Sequence, residues 1–242
     1  MGVQKNTSQR LHDELGVIIS KLQTGDRLPA EPTLAKQLGV SRATLREAMR
    51  TFETQGLVHR RQGAGTFVIH PSQVIDSGLE VLESIETLAR QLELPVAMGD
   101  LRTEYRPAAS EEALALELDP DTRVLCITRP ILVEGHPVAY LVDILLEDLL
   151  SPEELEQGFT GSVLDLLLKR GVPKLCSSRC EINAVTASSD IARAMRIQRG
   201  DVLLRFEARL FSVDGRVVDY SFSYFLPGYF RFNVVRRVSQ TI

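Results

Sequence analysis

Cysteine, tryptophan and long apolar runs are scarce or absent in this chain of 242 residues. It has no tryptophan, and its three cysteines, Cys126, Cys176 and Cys180, are odd in number and follow no zinc-finger spacing. No apolar run approaches the roughly 18 residues that a membrane-spanning helix needs, and the first thirty residues lack the pattern of a secretory signal. We therefore expect a cytoplasmic protein with no membrane segment, no disulfide framework, and no metal or cofactor.

Charge is divided unevenly along the chain. Residues 1–70 contain 10 basic and 6 acidic side chains, whereas the rest contains 18 and 26, so the two balances are +4 and −8. The overall composition, 44% hydrophobic and 25% charged, is that of a globular protein with one or two domains. We call the basic residues 1–70 the head and the acidic residues 71–242 the body. This charge difference indicates that the head binds a polyanion and that the body has another function.

The head has the pattern of three helices followed by a hairpin. Two helices with apolar stripes precede the turn Gly39-Val40, and Ser41 is placed to cap a third helix that runs to Gly56. Two short strands, residues 57–60 and 66–69, flank a glycine-rich stretch at residues 62–65. The third helix carries basic residues at i, i+4 spacing beside its apolar stripe; they are Arg42, Arg46 and Arg50.

These elements predict a winged helix-turn-helix. The first turn of such a third helix enters the major groove of DNA, where Arg pairs with guanine and hydroxyl groups meet phosphates. The alternative is a three-helix packing unit whose arginines form a solvated face. The capped helix, the preceding turn and the basic wing, taken together, favour DNA binding.

Residues 28–68 contain four motifs in order: Leu28-Pro29-x-Glu31, Gly39-Val40-Ser41-Arg42-x-Thr44-x-Arg46, Gly56-Leu57-Val58 and Gly63-x-Gly65-Thr66-Phe67-Val68. With these motifs the stretch resembles the DNA-binding domain of the GntR family of bacterial transcription regulators. The resemblance implies that Ser41, Arg42, Thr44 and Arg46 lie at the DNA and that Gly65 of the wing enters the minor groove. Glu31 of the first motif and the nearby basic residues complete the set of candidate DNA-binding residues, which are Glu31, Ser41, Arg42, Thr44, Arg46, Arg50, Arg60, Arg61 and Gly65. Pro32 departs from the pattern, because some members of the family have a base-reading arginine there.

The body contains an internal repeat. Residues 127–145 and 207–225 align at an offset of 80 residues, which pairs Arg129 with Arg209, Gly135 with Gly215, and Tyr140 with Tyr220. Each copy is a strand, a turn and a strand, and a short helical segment precedes it, so we predict an α+β domain around an antiparallel sheet. A polar junction at 70–78 and a helix at 79–94 come before. The predicted division is a winged helix-turn-helix at 1–70, a linker at 71–83, and this domain at 84–242. We expect a pocket near the line where the two copies meet.

Arg129 is the only charged residue between Val124 and Val133. A buried charge needs a partner, so an inward arginine on an apolar strand indicates either a bound anion or an internal carboxylate. Both interpretations are open from the sequence.

A second set of motifs lies between about residues 95 and 238. It includes Arg129, Gly135-x-Pro137-Val138, Ser162-Val163-Leu164, Gly171 and Arg231-Phe232, among other positions. With these motifs the region resembles the UTRA effector-binding domain of the HutC branch of the GntR family, a domain similar in fold to chorismate lyase. The resemblance implies an anion site formed by Ser84, Arg129, Ser162 and the backbone N–H groups of Val163 and Leu164. Asp219 and Phe225 align with a glutamate and a tyrosine that contact sugars, and Ile131 replaces a second arginine. These departures favour an effector with one anionic group over an amino-sugar phosphate.

The sequence thus predicts a homodimeric repressor that binds a palindromic double-stranded operator and responds to a small anionic effector, either a phosphorylated sugar or a carboxylate metabolite. One alternative is an enzyme of the chorismate-lyase type, although the chain contains no Walker loop, HExxH or G-x-S-x-G motif. The other alternative is a DNA-binding protein that takes no effector.

Overall fold

The computed structural model describes residues 7–23, 26–54, 57–61, 65–68, 75–157 and 159–235. The chain divides into two compact units, residues 1–74 with 226–229 and residues 75–225 with 230–242. In the described ranges no helix is both long and apolar enough to cross a membrane.

The first unit is a bundle of three helices with a two-stranded hairpin. The helices are α1 (Thr7–Ser20), α2 (Glu31–Gln37) and α3 (Arg42–Thr54), and the antiparallel strands are β1 (Val58–Arg61) and β2 (Gly65–Val68). The predicted apolar stripes form one core, in which Leu15, Leu45 and Val68 are completely buried. The three helices and the hairpin are therefore confirmed, whereas the predicted stretch at residues 62–64 lies outside the described residues.

The second unit is built on an antiparallel sheet. Its elements are β3 (Ile75–Gly78), α4 (Ile85–Gln91), β4 (Val96–Met98), β5 (Arg102–Pro107), α5 (Ser110–Leu116), β6 (Arg123–Val133), β7 (His136–Leu146), α6 (Pro152–Gln157), α7 (Val163–Arg170), β8 (Leu175–Thr186), α8 (Ser189–Met195), β9 (Val202–Ser212), β10 (Val217–Phe225) and β11 (Phe230–Asn233). The strand order is β4-β6-β7-β10-β9-β8, and β5 also pairs with β6. The predicted α+β class with an antiparallel sheet is confirmed.

The internal repeat corresponds to two hairpins that meet at the centre of this sheet. The first is β6–β7 and the second is β9–β10; β7 pairs with β10, while α5 and α8 precede the two hairpins. The alignment of Arg129 with Arg209 is wrong in three dimensions, however. Arg209 lies opposite Tyr220, but the residue opposite the equivalent Tyr140 is Pro130. The registers shift at Ile131/Leu132 and at Val217/Asp219, so Arg129 lies on the other face of the sheet from Arg209.

The two faces of the sheet pack against different helices. On one face, Ala115 and Leu116 of α5 join a cluster with Cys126, Ile144 and Tyr220. On the other face, α4 and α7 pack on Ile127, Ile131 and Leu141. Because β-strand side chains alternate between faces, this second face also receives Arg129, Asp143 and Asp219.

Two predictions for the start of this unit are corrected. The predicted helix at 79–94 is shorter, since α4 begins only at Ile85 after its N-cap Ser84, and Val81 and Leu82 are exposed. The predicted polar junction at 70–78, part of the predicted linker, contains strand β3, which pairs in parallel with β11. The partner of β3 is about 150 residues away along the chain, so local composition gives no sign of this strand.

Candidate functional site

The first turn of α3 is exposed, as the sequence predicts. The side chains of Arg42 and Arg46 are 60% and 51% exposed, and Ser41 and Thr44 are exposed beside them. Ser41 Oγ accepts a hydrogen bond from the Thr44 backbone N–H at 3.1 Å and lies 2.8 Å from Thr44 Oγ1. The cap therefore fixes two hydroxyl groups next to two guanidinium groups on one accessible turn.

Glu31, at the start of α2, connects this turn to the hairpin. Its carboxylate accepts a hydrogen bond from Arg46 Nε at 2.8 Å and another from Arg60 Nη2 on β1, and Arg42 Nη2 lies 3.8 Å away. One carboxylate thus holds three cations from two elements in fixed positions. The predicted list includes Glu31 by resemblance; its role as an organiser of the arginines is a finding of the structure. Arg50 lies one turn further along α3, 3.8 Å from Glu47.

The hairpin has a further cation that sequence reasoning missed. Arg27 forms a β-bridge to Phe67, and a Cβ added to Gly65 would lie 2.5 Å from Arg27 Nε. Gly65 also has φ +121°, a backbone conformation that residues other than glycine rarely adopt. Arg27 precedes the helix-turn-helix motif and follows no periodic pattern, so no sequence signal marked it. The backbone of Arg61 lies in β1, and the position of its side chain lies outside what the structure describes.

The second unit contains a cavity of about 600 Å³ on the sheet face that carries Arg129. Its floor crosses β6, β7, β10, β9 and β8, and therefore crosses the line where the two hairpins meet. All seven predicted effector residues line it: Ser84, Arg129, Ser162, Val163, Leu164, Asp219 and Phe225. The structure thus brings together residues that are up to 141 positions apart in the sequence.

Arg129 is 2% exposed and has protein partners on two sides. Its Nε donates to the Gly161 carbonyl oxygen at 2.7 Å, its Nη1 donates to Asp143 Oδ2, and its guanidinium carbon lies 5.5 Å from the centre of the Phe159 ring. Of the two interpretations open from the sequence, the internal carboxylate is therefore present. Asp143 was missed, although it is the only charged residue between Val138 and Leu146, the same signal that marked Arg129.

Two serines of the predicted anion site cap the helices above the floor. Ser84 Oγ accepts from the Thr87 N–H at 2.9 Å and donates to Asp165 Oδ2 at 2.6 Å. Ser162 Oγ accepts from the Asp165 N–H at 2.9 Å at the start of α7. The hydroxyl of Ser84 thus already donates its proton to Asp165, so this hydrogen bond would have to break before Ser84 could donate to an anion. Such an anion contact stays a prediction for both serines.

The cavity contains two buried carboxylates with perturbed titration. Burial, reinforced by the nearby Asp143 carboxylate, raises the pKa of Asp219 well above its ordinary value. Burial also raises the pKa of Glu86, which lies in the first turn of α4. Glu86 is a third residue that sequence reasoning missed, because the predicted helix at 79–94 placed it in an ordinary helical stretch with no special role.

Family models match both units. The model described as "Bacterial regulatory proteins, gntR family" matches residues 7–68, and the UTRA domain model matches residues 98–231. The HTH-type transcriptional regulator Rv0792c of Mycobacterium tuberculosis is 30% identical over 223 residues, which cover 90% of this chain and 80% of that protein. The chain belongs to the GntR family.

Other relatives agree with this assignment. The histidine utilization repressor of Pseudomonas putida is 28% identical over 81% of this GntR chain and 79% of its own length. Among solved structures, PhnF of Mycobacterium smegmatis superimposes with a TM-score of 0.63 at 21% identity, covering 95% of this chain and 100% of that one, and so supports the fold. The resemblance to GntR and UTRA domains and the prediction of a transcription regulator rather than an enzyme are confirmed. GntR-family regulators bind operator DNA, and UTRA domains bind small-molecule effectors.

Proposed function

We propose that this GntR-family protein is a repressor whose operator affinity is changed by a small effector bound in the cavity of its second unit. The observation that carries the DNA-binding half is the exposed turn of α3, where Ser41, Arg42, Thr44 and Arg46 are presented together. The observation that supports the effector half is the cavity that all seven predicted residues line.

At the operator, the first turn of α3 enters the major groove. Arg42 and Arg46 read guanine edges, and the hydroxyls of Ser41 and Thr44 bind phosphate oxygens. Glu31 keeps the arginines from the many rotamers that free guanidinium groups adopt, which lowers the entropy cost of binding. Arg60, with Arg27 and Gly65 of the wing, contacts the sugar-phosphate backbone and the minor groove beside it.

The effector is small and carries one anionic group, as a phosphorylated sugar or a carboxylate metabolite does. That group binds near Arg129 and the N–H groups of Val163 and Leu164 at the start of α7, where the helix dipole favours negative charge. Two copies of the chain form a homodimer in the cytoplasm, and each copy contributes one α3 to a palindromic operator. The effector acts through its different affinity for DNA-competent and DNA-incompetent arrangements.

The direct test is operator binding by the Arg46→Ala variant. Operator duplexes are selected from a random pool with the wild-type protein, and affinity is measured by fluorescence anisotropy at fixed salt. We expect the substitution to cost about 1–3 kcal/mol on the selected operator and less on a scrambled duplex, because it removes base contacts. The control is Arg10→Ala, which removes an exposed arginine that pairs with Glu14 on α1. Equal operator affinities of Arg46→Ala and wild type would disprove this docking arrangement.

A further inference from the structure

The cavity in the second unit is lined by an excess of negative charge. Its described lining includes five carboxylates and a single guanidinium, that of Arg129; the carboxylates are Glu80, Glu83, Glu86, Asp143 and Asp219. Arg129 already bonds Asp143 and the Gly161 carbonyl. Arg129 also attracts Glu86 and Asp219, but in the described lining this one cation is outnumbered by the carboxylates. This lining is unfavourable for a ligand that carries only negative charge.

Two oxygens deep in the cavity have no hydrogen-bond partner among the described residues. They are Glu86 Oε1 and Asp219 Oδ1, and their residues are only 9% and 5% exposed. The Asp219 carboxyl also interacts with the side chains of Asp143 and Ser221, so only one of its two oxygens lacks a partner. An unsatisfied buried polar group destabilises the fold, and buried groups of this kind are rarely left without a donor in folded proteins. Both oxygens therefore point to a donor that arrives with the ligand.

The two carboxylates flank the Arg129–Asp143 ion pair. Ser221 lies opposite Asp143 on the neighbouring strand, and Asp219 is two residues before it, on the same face. Glu86 comes from α4, above the floor; its Oε1 lies 2.5 Å from the point where a Cβ on Gly161 would be, and Gly161 is the residue whose carbonyl binds Arg129. Negative charge thus approaches the ion pair from the sheet and from the helix layer.

We infer that the effector carries a protonated amine or amidine, which donates hydrogen bonds to Glu86 and Asp219. This inference rests on the proposed function for the existence of an effector, and it adds a cationic group to the anionic one, so that the effector is a zwitterion. An ammonium group supplies three donors and a positive charge, and its charge favours the ionised forms of the two buried carboxyl groups, which neutral hydroxyls do not. A metal ion fits less well, because no group of three or more metal-ligating side chains within the described ranges could hold one.

The binding test uses small probes and no DNA. Butylammonium, butyrate and butanol have similar size and differ in charge, and their binding to the full-length protein is measured by ligand-observed NMR at pH 7.5. We expect butylammonium to bind more tightly than the other two. We expect Glu86→Gln and Asp219→Asn each to weaken it about tenfold or more, because each removes a charge-assisted bond. Glu156→Gln, on the exposed surface of α6, is the matched control and leaves binding unchanged.

The folding test needs no ligand. Because the pKa of Asp219 is raised in the folded protein, its carboxylate destabilises the folded state progressively as the pH rises through that pKa. Asp219→Asn removes this penalty, so the melting temperature of the variant should increase relative to that of wild type as the pH rises from 5 to 8. The charged groups facing Asp219 are Asp143 and Arg129, and both are retained in the variant.

The outcomes of these experiments separate the two proposals. Preferred binding of butyrate, no binding of butylammonium, or butylammonium binding unaffected by both substitutions would overturn the inference. A melting temperature of Asp219→Asn that falls further below that of wild type as the pH rises would do the same, because it would mean that the carboxylate is stabilised without a ligand. Operator binding by Arg46→Ala tests only the proposed function, since neither cavity experiment contains DNA.

Discussion

Arg129 has a positive charge whose partner, Asp143, is also almost completely removed from solvent. Removing one member of a buried ion pair leaves the other charge uncompensated in a low-dielectric interior. From the sequence alone, Arg129→Ala is predicted to abolish the effector response while leaving DNA affinity unchanged. The geometry adds a structural effect that this expectation did not include.

We therefore predict that Arg129→Ala lowers the free energy of unfolding by about 3–5 kcal/mol. Urea denaturation followed by circular dichroism measures the change. Arg123→Ala provides a control on the same strand, because Arg123 forms an exposed ion pair with Glu147 and its loss costs about 1 kcal/mol or less. Similar losses in the two variants would mean that burial does not set the strength of the Arg129 pair.

The residues of the cavity also show what residue patterns can and cannot predict. Arg129 was recognisable because a lone charge on an apolar strand needs a partner, but the sequence did not identify that partner. Asp143 lies on the adjacent strand β7, diagonally opposite Arg129 on β6. Which residue takes that position depends on the strand register, which the turn and the bulge at Ile131/Leu132 set together. Glu86 was not recognisable, because its burial depends on the sheet beneath α4.

At the scale of elements, the hairpin of the first unit depends on Gly65. We predict that Gly65→Ala destabilises this unit by about 1–3 kcal/mol, because a residue with a Cβ is strained at φ +121° and Arg27 occupies the space that the Cβ needs. Operator affinity should fall as well, since the wing and Arg27 shift. Thermal unfolding and anisotropy measure the two effects.

Gly16→Ala is the control for this substitution. Gly16 lies within α1, and its added Cβ would be 3.8 Å from Phe52, an ordinary contact. Alanine is favoured over glycine inside a helix, so this variant should be as stable as wild type or slightly more stable. If both glycine variants behaved alike, the backbone conformation of Gly65 would not be the constraint.

Elements defined by local periodicity were predictable, and elements defined by distant pairing were not. The three helices of the first unit have apolar stripes within a single stretch of chain, α3 also has its Ser41 cap, and the two repeated hairpins each have a glycine turn. Strand β3 has neither, because its ladder is supplied by β11 near the other end of the chain. The start of α4 was placed too early, because Leu82 continues the apolar spacing of the helix although it is exposed.

At the scale of the whole molecule, the proposed dimer makes a prediction about operator spacing. In solution the protein should have twice the mass of one 26.9 kDa chain, as light scattering measures. Inserting 5 base pairs between the half-sites rotates one half-site by half a turn, so one α3 loses its contacts and affinity should fall about 100-fold or more.

A 10-base-pair insertion is the control for this spacing experiment. It restores the rotational phase, so it should weaken binding less than the 5-base-pair insertion does. Equal affinity for the two spacers would indicate that the two recognition helices do not bind the operator together.

The pairing of β3 with β11 makes the short strand β11 more important than its length indicates. A frameshift or stop codon just before Phe230 would remove strand β11, which has only four residues. Yet it would at once strip β3 of its ladder partner and delete Phe230 and Phe232 from the cavity wall.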